Sequence, residues 1–404
     1  MNTPRHAATG TAAPSLRTGF RIAVATLTGA LAVVGAAWAF VSVRVARRVV
    51  TPERRLPDTE ILALDTAAQT ITLARNADTE LPGRYGLFTS GTEHYLKLGS
   101  VLSEDEARVT RKLLTHIGPD ARLERAAAFS GWYYDNPQQL HVPFSSELIG
   151  SPLGPCPAWL FPAPEPTDTW VIQIHGRGTD RTECLRAVPV FRDAGITSLL
   201  VSYRNDGVGP RSRAGTYTLG ATEWRDVESA IGFARRRGAA RIILMGWSMG
   251  GAIALQTALA SAHQDLLAGV VLESPVIDWR IVLDYQANLM RIPHPVADLA
   301  ISALGSPWAK GLTGAEDAIP FDRLDVVARA DELHQPILIL HSDDDGFVPS
   351  DASHELAQAR PDLVTLQVFD TARHTKLWNY DQERWTRAIT QWLAAQGLGG
   401  GSAE

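Results

Sequence analysis

Gly246-Trp247-Ser248-Met249-Gly250 puts one hydroxyl between two glycines, after the apolar run 241–245 and ahead of the alanine-rich segment 251–255. A serine held in a sharp strand-to-helix turn stands clear of its sheet and can act as a nucleophile, and flanking glycines remove the Cβ atoms such a turn would crush. A Gly-rich turn with a capping serine gives the same letters, so the strand before and the helix after carry the reading. A seryl nucleophile needs a base to take its proton and an acid to orient that base. Asp343, Asp344 and Asp345 follow the apolar run 336–341, and His374 lies in the loop after the last apolar run, 364–369. The chain has 11 histidines, so position rather than residue type selects His374. Glu273 and Asp278, after an earlier run, are the alternative acids.

The elements that must position these groups begin near residue 155. Short apolar runs at 158–161, 170–174, 196–202, 241–246, 268–273, 336–341 and 364–369 alternate with amphipathic segments at 181–194, 222–237, 250–263, 351–360 and 381–396. Most of the runs lack polar alternation, as strands covered on both faces do. This rhythm predicts an α/β fold, a doubly wound, mostly parallel sheet whose site lies at the carboxyl ends of its strands. Between residues 275 and 333 the rhythm breaks, and Trp279, Ile281, Leu283, Tyr285, Leu289, Met290, Ile292, Leu304 and Trp308 suggest a helical cap that lines an acyl or aromatic pocket or merely packs on itself.

Together with Trp170-Val171-Ile172-Gln173-Ile174-His175-Gly176-Arg177-Gly178, these motifs resemble the serine hydrolases of the α/β-hydrolase superfamily, in its serine-aminopeptidase-like, prolyl-oligopeptidase-like and lipid-esterase-like branch. The resemblance covers about residues 155–396. It implies the α/β-hydrolase fold and a triad in the order Ser248, Asp345, His374, with Asp345 chosen because Asp345-Gly346-Phe347-Val348-Pro349 has the family's spacing from carboxylate to Val-Pro. It further implies an oxyanion hole from the backbone N–H groups near Arg177 and at Met249, with His175 structural. Arg177 departs from the small or apolar residue usual after the His-Gly pair, so its side chain is expected at substrate or in water. Substrate contacts are expected from Trp247, Trp279, Leu289 and Met290. Tyr203 to Gly207 and Glu223 to Asp226 are read as loop braces, with a substrate role for Arg204 or Arg211 as the alternative.

Net charge is −6 and no basic stretch interleaves with aromatics, which argues against a nucleic-acid partner. The 2 cysteines, Cys156 and Cys184, are expected as buried thiols rather than a disulfide. No cofactor or metal is called for. Residues 22–43 carry no charge and span about 30 Å as a helix, the thickness of a bilayer's hydrocarbon core. Ala37-Trp38-Ala39 would suit a signal-peptide cleavage, but the run continues past it to Arg44, Arg47 and Arg48, so a single-pass anchor in a lipid bilayer is expected. The balance of flanking arginines leans narrowly toward a cytoplasmic catalytic domain, with an outward-facing one as the alternative. The expected organisation is a disordered tail (1–21), a transmembrane helix (22–43), a small mainly β region (44–150), the hydrolase domain (151–396) with its cap (275–333), and a second tail (397–404). The expected function is hydrolysis of an ester, thioester or amide by a membrane-anchored esterase or lipase-like enzyme. An aminopeptidase-like peptidase, an acyltransferase and a non-catalytic binding protein are the alternatives, with a small acyl or peptide substrate as partner and oligomeric state open.

Overall fold

The computed structural model describes residues 21, 35–52 and 55–399. Residues 59–130 form a closed antiparallel barrel from β1 (Thr59–Asp65), β2 (Thr70–Ala74), β3 (Tyr85–Phe88), β4 (Tyr95–Glu104), β5 (Arg108–Leu113) and β6 (Ala126–Ser130), in the order β1-β2-β5-β4-β3-β6. Alternate residues point inward, so that Ile71, Leu73, Leu87, Leu96 and Leu98 build a core closed by Tyr85 against Phe129, ring centres 4.7 Å apart. Closure leaves no unpaired edge. Arg111 is also buried there, and its guanidinium donates to the carbonyls of Gly99, Thr79, Leu81 and Gly83 at 2.8–3.1 Å. Burial pushes its pKa down to about 10. The four donated hydrogen bonds compensate for the buried charge, and the three to Thr79, Leu81 and Gly83 fix the loop between β2 and β3.

The second unit is an eight-stranded sheet of β7 (Ser145–Ser151), β8 (Gly154–Phe161), β9 (Thr169–Ile174), β10 (Thr197–Val201), β11 (Arg241–Trp247), β12 (Leu267–Glu273), β13 (Ile337–Ser342) and β14 (Val364–Phe369). Its order is β14-β13-β12-β11-β9-β10-β8-β7, parallel from β9 to β14, with β8 antiparallel to its neighbours. The sheet therefore takes in residues 145–151, upstream of the expected boundary. Two cores flank it. One holds Ile172, Leu244 and Val270 with the helices Trp224–Arg236 and Met249–Ala260, and the other holds Phe191, Met245, Trp247, Trp385 and Trp392. Burial of each such side chain contributes about 1.5–3 kcal/mol. Both cysteines are buried and free.

Between β12 and β13 the chain forms the helices Trp279–Leu289, His294–Gly305, Lys310–Thr313 and Phe321–Leu324. Residues 35–50 are helical and lean on this insertion. Ala46 and Val50 are buried in the larger core, Ser42 Oγ donates to the Val296 carbonyl at 2.9 Å, and Arg47 Nε donates to that of Leu312 at 2.7 Å. Residues 22–34 of the expected span lie outside the described residues. Among the described residues no helix is long and apolar enough to cross a membrane.

Candidate active site

β11 ends at Trp247, and the helix from Met249 starts at once, leaving Ser248 alone in the turn with φ 52° and ψ −119°. That backbone is costly for a residue with a Cβ and persists only where the surroundings enforce it. The enforcement is steric: a Cβ on Gly246 would sit 2.3 Å from the Gly250 carbonyl oxygen, and one on Gly250 only 2.1 Å from that of Ile174. The expected glycine pair is thus a packing requirement. Ser248 N–H donates to the Glu273 carbonyl at 3.1 Å, and the Ser248 carbonyl accepts from Val276 at 3.1 Å, tying the turn to the end of β12.

Asp345 follows β13 in a tight turn in which its Oδ1 accepts from the N–H groups of Phe347 and Val348 at 2.9 and 2.8 Å. Its Oδ2 lies 2.8 Å from His374 Nδ1, and His374 Nε2 lies 3.0 Å from Ser248 Oγ. The structure therefore brings Ser248, His374 and Asp345 together from the ends of β11, β13 and β14. Burial opposes charge on Asp345, but the two imidazoles of His374 and His341 outweigh it and hold the carboxyl well below the usual carboxylate range. His341 Nε2 stands 3.4 Å from Asp345 Oδ2 and 3.0 Å from the Val348 carbonyl, and its Nδ1 faces Ser353 Oγ at 2.7 Å. Glu273 is engaged elsewhere: its Oε2 accepts from the indoles of Trp247 and Trp385 at 2.9 and 2.8 Å, and Arg186 lies 3.6 Å from its Oε1. Asp278 caps the helix Trp279–Leu289.

The loop after β9 is built to hold its amides in place. Glu183, buried, accepts from Gly176 N–H at 2.9 Å and from the Thr179 hydroxyl at 3.0 Å. Tyr203 donates its hydroxyl to the Gly176 carbonyl at 2.9 Å, and its ring stacks on His175. His175 faces Asp206 at 3.1 Å in full burial. Burial disfavours its imidazolium, yet the Asp206 carboxylate more than compensates and raises its pKa. The Met249 N–H opens its helix, where first-turn amides have no intrahelical acceptor and the helix dipole favours negative charge. The Arg177 side chain borders an apolar cavity and is also held by backbone. It closes the C-terminal end of helix 35–50, donating to the carbonyls of Val49, Arg48 and Thr51 at 3.0, 2.6 and 2.9 Å. Arg204 makes a buried two-point ion pair with Asp226 at 2.8 Å.

Two cavities meet at Phe347, and His374 lines one of them. An apolar one of about 240 Å³ runs between the cap and helix 35–50, lined by Val45, Val49, Trp279, Leu283, Met290 and Leu304, with Arg177 and Phe347 at its edge. A polar one of about 280 Å³ lies under the barrel, lined by Arg55, Trp132, Glu183, Arg373, His374 and Lys376 among others. Phe347 borders both and packs on His374, ring centres 5.1 Å apart. Of the residues expected at substrate, Trp279 and Met290 line the apolar cavity, whereas Trp247 and Leu289 line neither cavity. Trp247 is the last strand residue and points through the sheet into the opposite core. Leu289 is 55% exposed at the outer end of its helix. Sequence reasoning missed Glu183, Arg55, Phe347 and Asp78. Only Phe347 had a signal, its place inside the Asp345-to-Pro349 motif.

Asp78, in the loop fixed by Arg111, reaches from the barrel to the loop that carries His374. Its Oδ1 lies 3.0 Å from Lys376 Nζ and 3.8 Å from Arg373 Nε, on either side of His374. Among the described residues no group of histidine, cysteine and carboxylate side chains could hold a metal ion.

Comparison with known proteins agrees with this architecture. Residues 187–398, just over half of the chain, match the prolyl oligopeptidase family, and residues 60–130, the barrel, match a domain family of unknown function. A curated relative, the uncharacterized protein YqkD of Bacillus subtilis (strain 168), is 22% identical over 239 residues, 57% of this chain and 73% of that one. Among solved structures, an esterase of Pyrococcus furiosus superposes with a TM-score of 0.50 at 16% identity, covering 65% of this chain and 94% of that one. A puromycin-hydrolyzing peptidase of Mycobacterium tuberculosis covers 81% of this chain and 45% of its own, at 19% identity and TM-score 0.46. The chain belongs to the prolyl oligopeptidase family and is a serine hydrolase of the α/β-hydrolase superfamily.

Proposed function

We propose that the protein is an esterase in which Ser248 forms an acyl-enzyme with substrates whose acyl chain occupies the apolar cavity. His374 takes the Ser248 proton as Oγ attacks the carbonyl, and Asp345 keeps Nδ1 protonated and aimed at itself. The oxyanion is received by the N–H groups of Met249 and Arg177, fixed donors of the kind that stabilise a developing negative oxygen. His374 then passes its proton to the leaving group, and water releases the acid by the reverse sequence. The observation that carries this reading is the pair of contacts on His374, 3.0 Å to Ser248 and 2.8 Å to Asp345. The apolar cavity supports an acyl chain over a polar side chain.

Anchoring to a bilayer through residues 22–43 belongs to the same proposal. It is supported by the exposure of Trp38, Phe40 and Val41 at the described end of that segment, and by exposed Trp308 and Leu312 on the cap against which the helix leans. Recovery of the intact N-terminus in the membrane fraction is expected; a soluble mature protein starting near Phe40 would remove the anchor. Family membership favours one other reading, a peptidase. A panel of 4-nitrophenyl esters of increasing chain length beside aminoacyl anilides, on wild type and Ser248→Ala, separates the two. Ester hydrolysis that rises with chain length and vanishes in Ser248→Ala is expected, and hydrolysis of the anilides alone would leave only the peptidase.

A further inference from the structure

The polar cavity has a definite place in the reaction. A leaving group must receive its proton from His374 Nε2, so it departs on the imidazole's side. His374 lines the polar cavity and not the apolar one. The acyl chain and the leaving group are therefore held in spaces of opposite character, divided by Phe347.

The charges around the polar cavity are unequal in number and in engagement. Arg55, Arg373 and Lys376 line it against two carboxylates, Asp78 and Glu183. Asp78 is held by Lys376 and Arg373, and Arg373 also pairs with Asp344 at 3.2 Å. Glu183 is spent on the Gly176 amide and the Thr179 hydroxyl. Arg55 differs from all of these. Its guanidinium lies over the rings of Phe88 and Trp132, 3.6 and 4.4 Å from their centres, and among the described residues it forms no ion pair with a carboxylate. Contact with two rings that stand at 78° to each other confines the guanidinium, whose N–H fork suits two-point recognition of a carboxylate or phosphate. Burial makes the charge costly and lowers the Arg55 pKa, with Glu183 and Asp180 offsetting part of that cost. An anion arriving in the cavity would relieve the rest.

We propose that this cavity is the leaving-group subsite, and that Arg55 selects acyl esters whose alcohol portion carries an anionic group, a carboxylate or a phosphate. The inference rests on the esterase reading of Ser248. In the step it describes, the Ser248 Oγ–acyl bond forms and the acyl–oxygen bond breaks. The seryl proton passes through His374 to the departing oxygen, and the remote anion stays on Arg55 unchanged.

The test uses two substrate pairs of equal acyl chain on the full-length protein. One pair is 2-nitrophenyl octanoate and its 5-carboxy derivative, which probes a carboxylate. The other is 1-octanoylglycerol and its 3-phosphate, which probes a phosphate. In at least one pair kcat/KM favours the anionic member, and Arg55→Met lowers that ratio about ten- to hundred-fold, the worth of a charge-assisted hydrogen bond, while Arg55→Lys restores much of it. The pair that responds identifies the anion. If Arg55→Met does not fold, the wild-type ratio must still fall as salt is added, because screening weakens the attraction. Ratios near or below one that neither the substitution nor salt moves would overturn the proposal while leaving Ser248 in place. Ester hydrolysis undiminished in Ser248→Ala would remove the esterase reading and this proposal with it.

Discussion

The turn that carries Ser248 and the loop that carries His374 are both strained, but they are held in different ways. At Ser248 the positive φ is enforced by immediate neighbours: Gly246 and Gly250 pack directly on carbonyl oxygens, and a strand and a helix fix the two ends. Around His374 the residues with positive φ are Arg373 and Thr375, neither a glycine, and they are held from a distance. Thr375 N–H donates to Ser274 Oγ at 3.1 Å, Ala372 N–H donates to Ser342 Oγ at 3.0 Å, and Asp78 reaches across from the barrel. The Ser248 turn is marked by five consecutive residues and seated on adjacent strands, while the His374 loop depends on side chains from across the assembled molecule. The barrel, which has no chemistry of its own in view, thereby acquires a role as a brace for the base.

The largest effects should follow from removing the groups that meet, whichever way they are held. Ser248→Ala or His374→Ala is expected to lower kcat on a responsive ester by about 10⁶-fold, and Asp345→Asn by about 10⁴-fold, measured under single-turnover conditions with circular dichroism to verify folding. The local turn is broken next. Gly250→Ala forces a Cβ to within 2.1 Å of the Ile174 oxygen, and a loss of at least about 3 kcal/mol in urea denaturation is expected. If Gly250→Ala is as stable as wild type, the turn is not held sterically. The distant brace yields more gently: Asp78→Asn should lower kcat about ten-fold with KM little changed, about 1.4 kcal/mol. An unchanged kcat would reduce the barrel to a cover.

Acid gives the smallest effect and tests the far end of the triad. The folded pKa of Asp345 lies below its unfolded value, so the carboxylate contributes stability that is complete well above about pH 4 and is lost as pH falls toward the folded pKa. Asp345→Asn should therefore show a flatter loss of melting temperature between about pH 5 and pH 2 than wild type. Parallel curves would mean that Asp345 is not held ionised.

This contrast also explains what the sequence disclosed. Strand–helix alternation, the glycine-flanked serine and the Asp345-to-Pro349 spacing are local patterns, and local patterns of period and turn chemistry can be read without coordinates. Trp247 and Leu289 line neither cavity, because residue type alone says neither which face of a strand nor which side of a cap helix a side chain takes. A strand sends successive side chains to opposite faces, which carries Trp247 away from both cavities. Glu183, though near Gly176 and Thr179 in sequence, belongs to no periodic pattern or turn motif, and Arg55 and Asp78 had no local pattern, since their partners lie far along the chain. The same is true of Arg177, whose unusual residue type was visible but whose purpose, closing helix 35–50, depends on a segment more than a hundred residues upstream.

The most direct test of the account is intact-protein and peptide mass spectrometry after brief exposure to a 4-nitrophenyl acyl ester at low pH, or to a fluorophosphonate. One adduct per chain, on the peptide containing Ser248 and absent from Ser248→Ala, is the predicted result. An adduct on another residue, or full turnover by Ser248→Ala without any adduct, would contradict it.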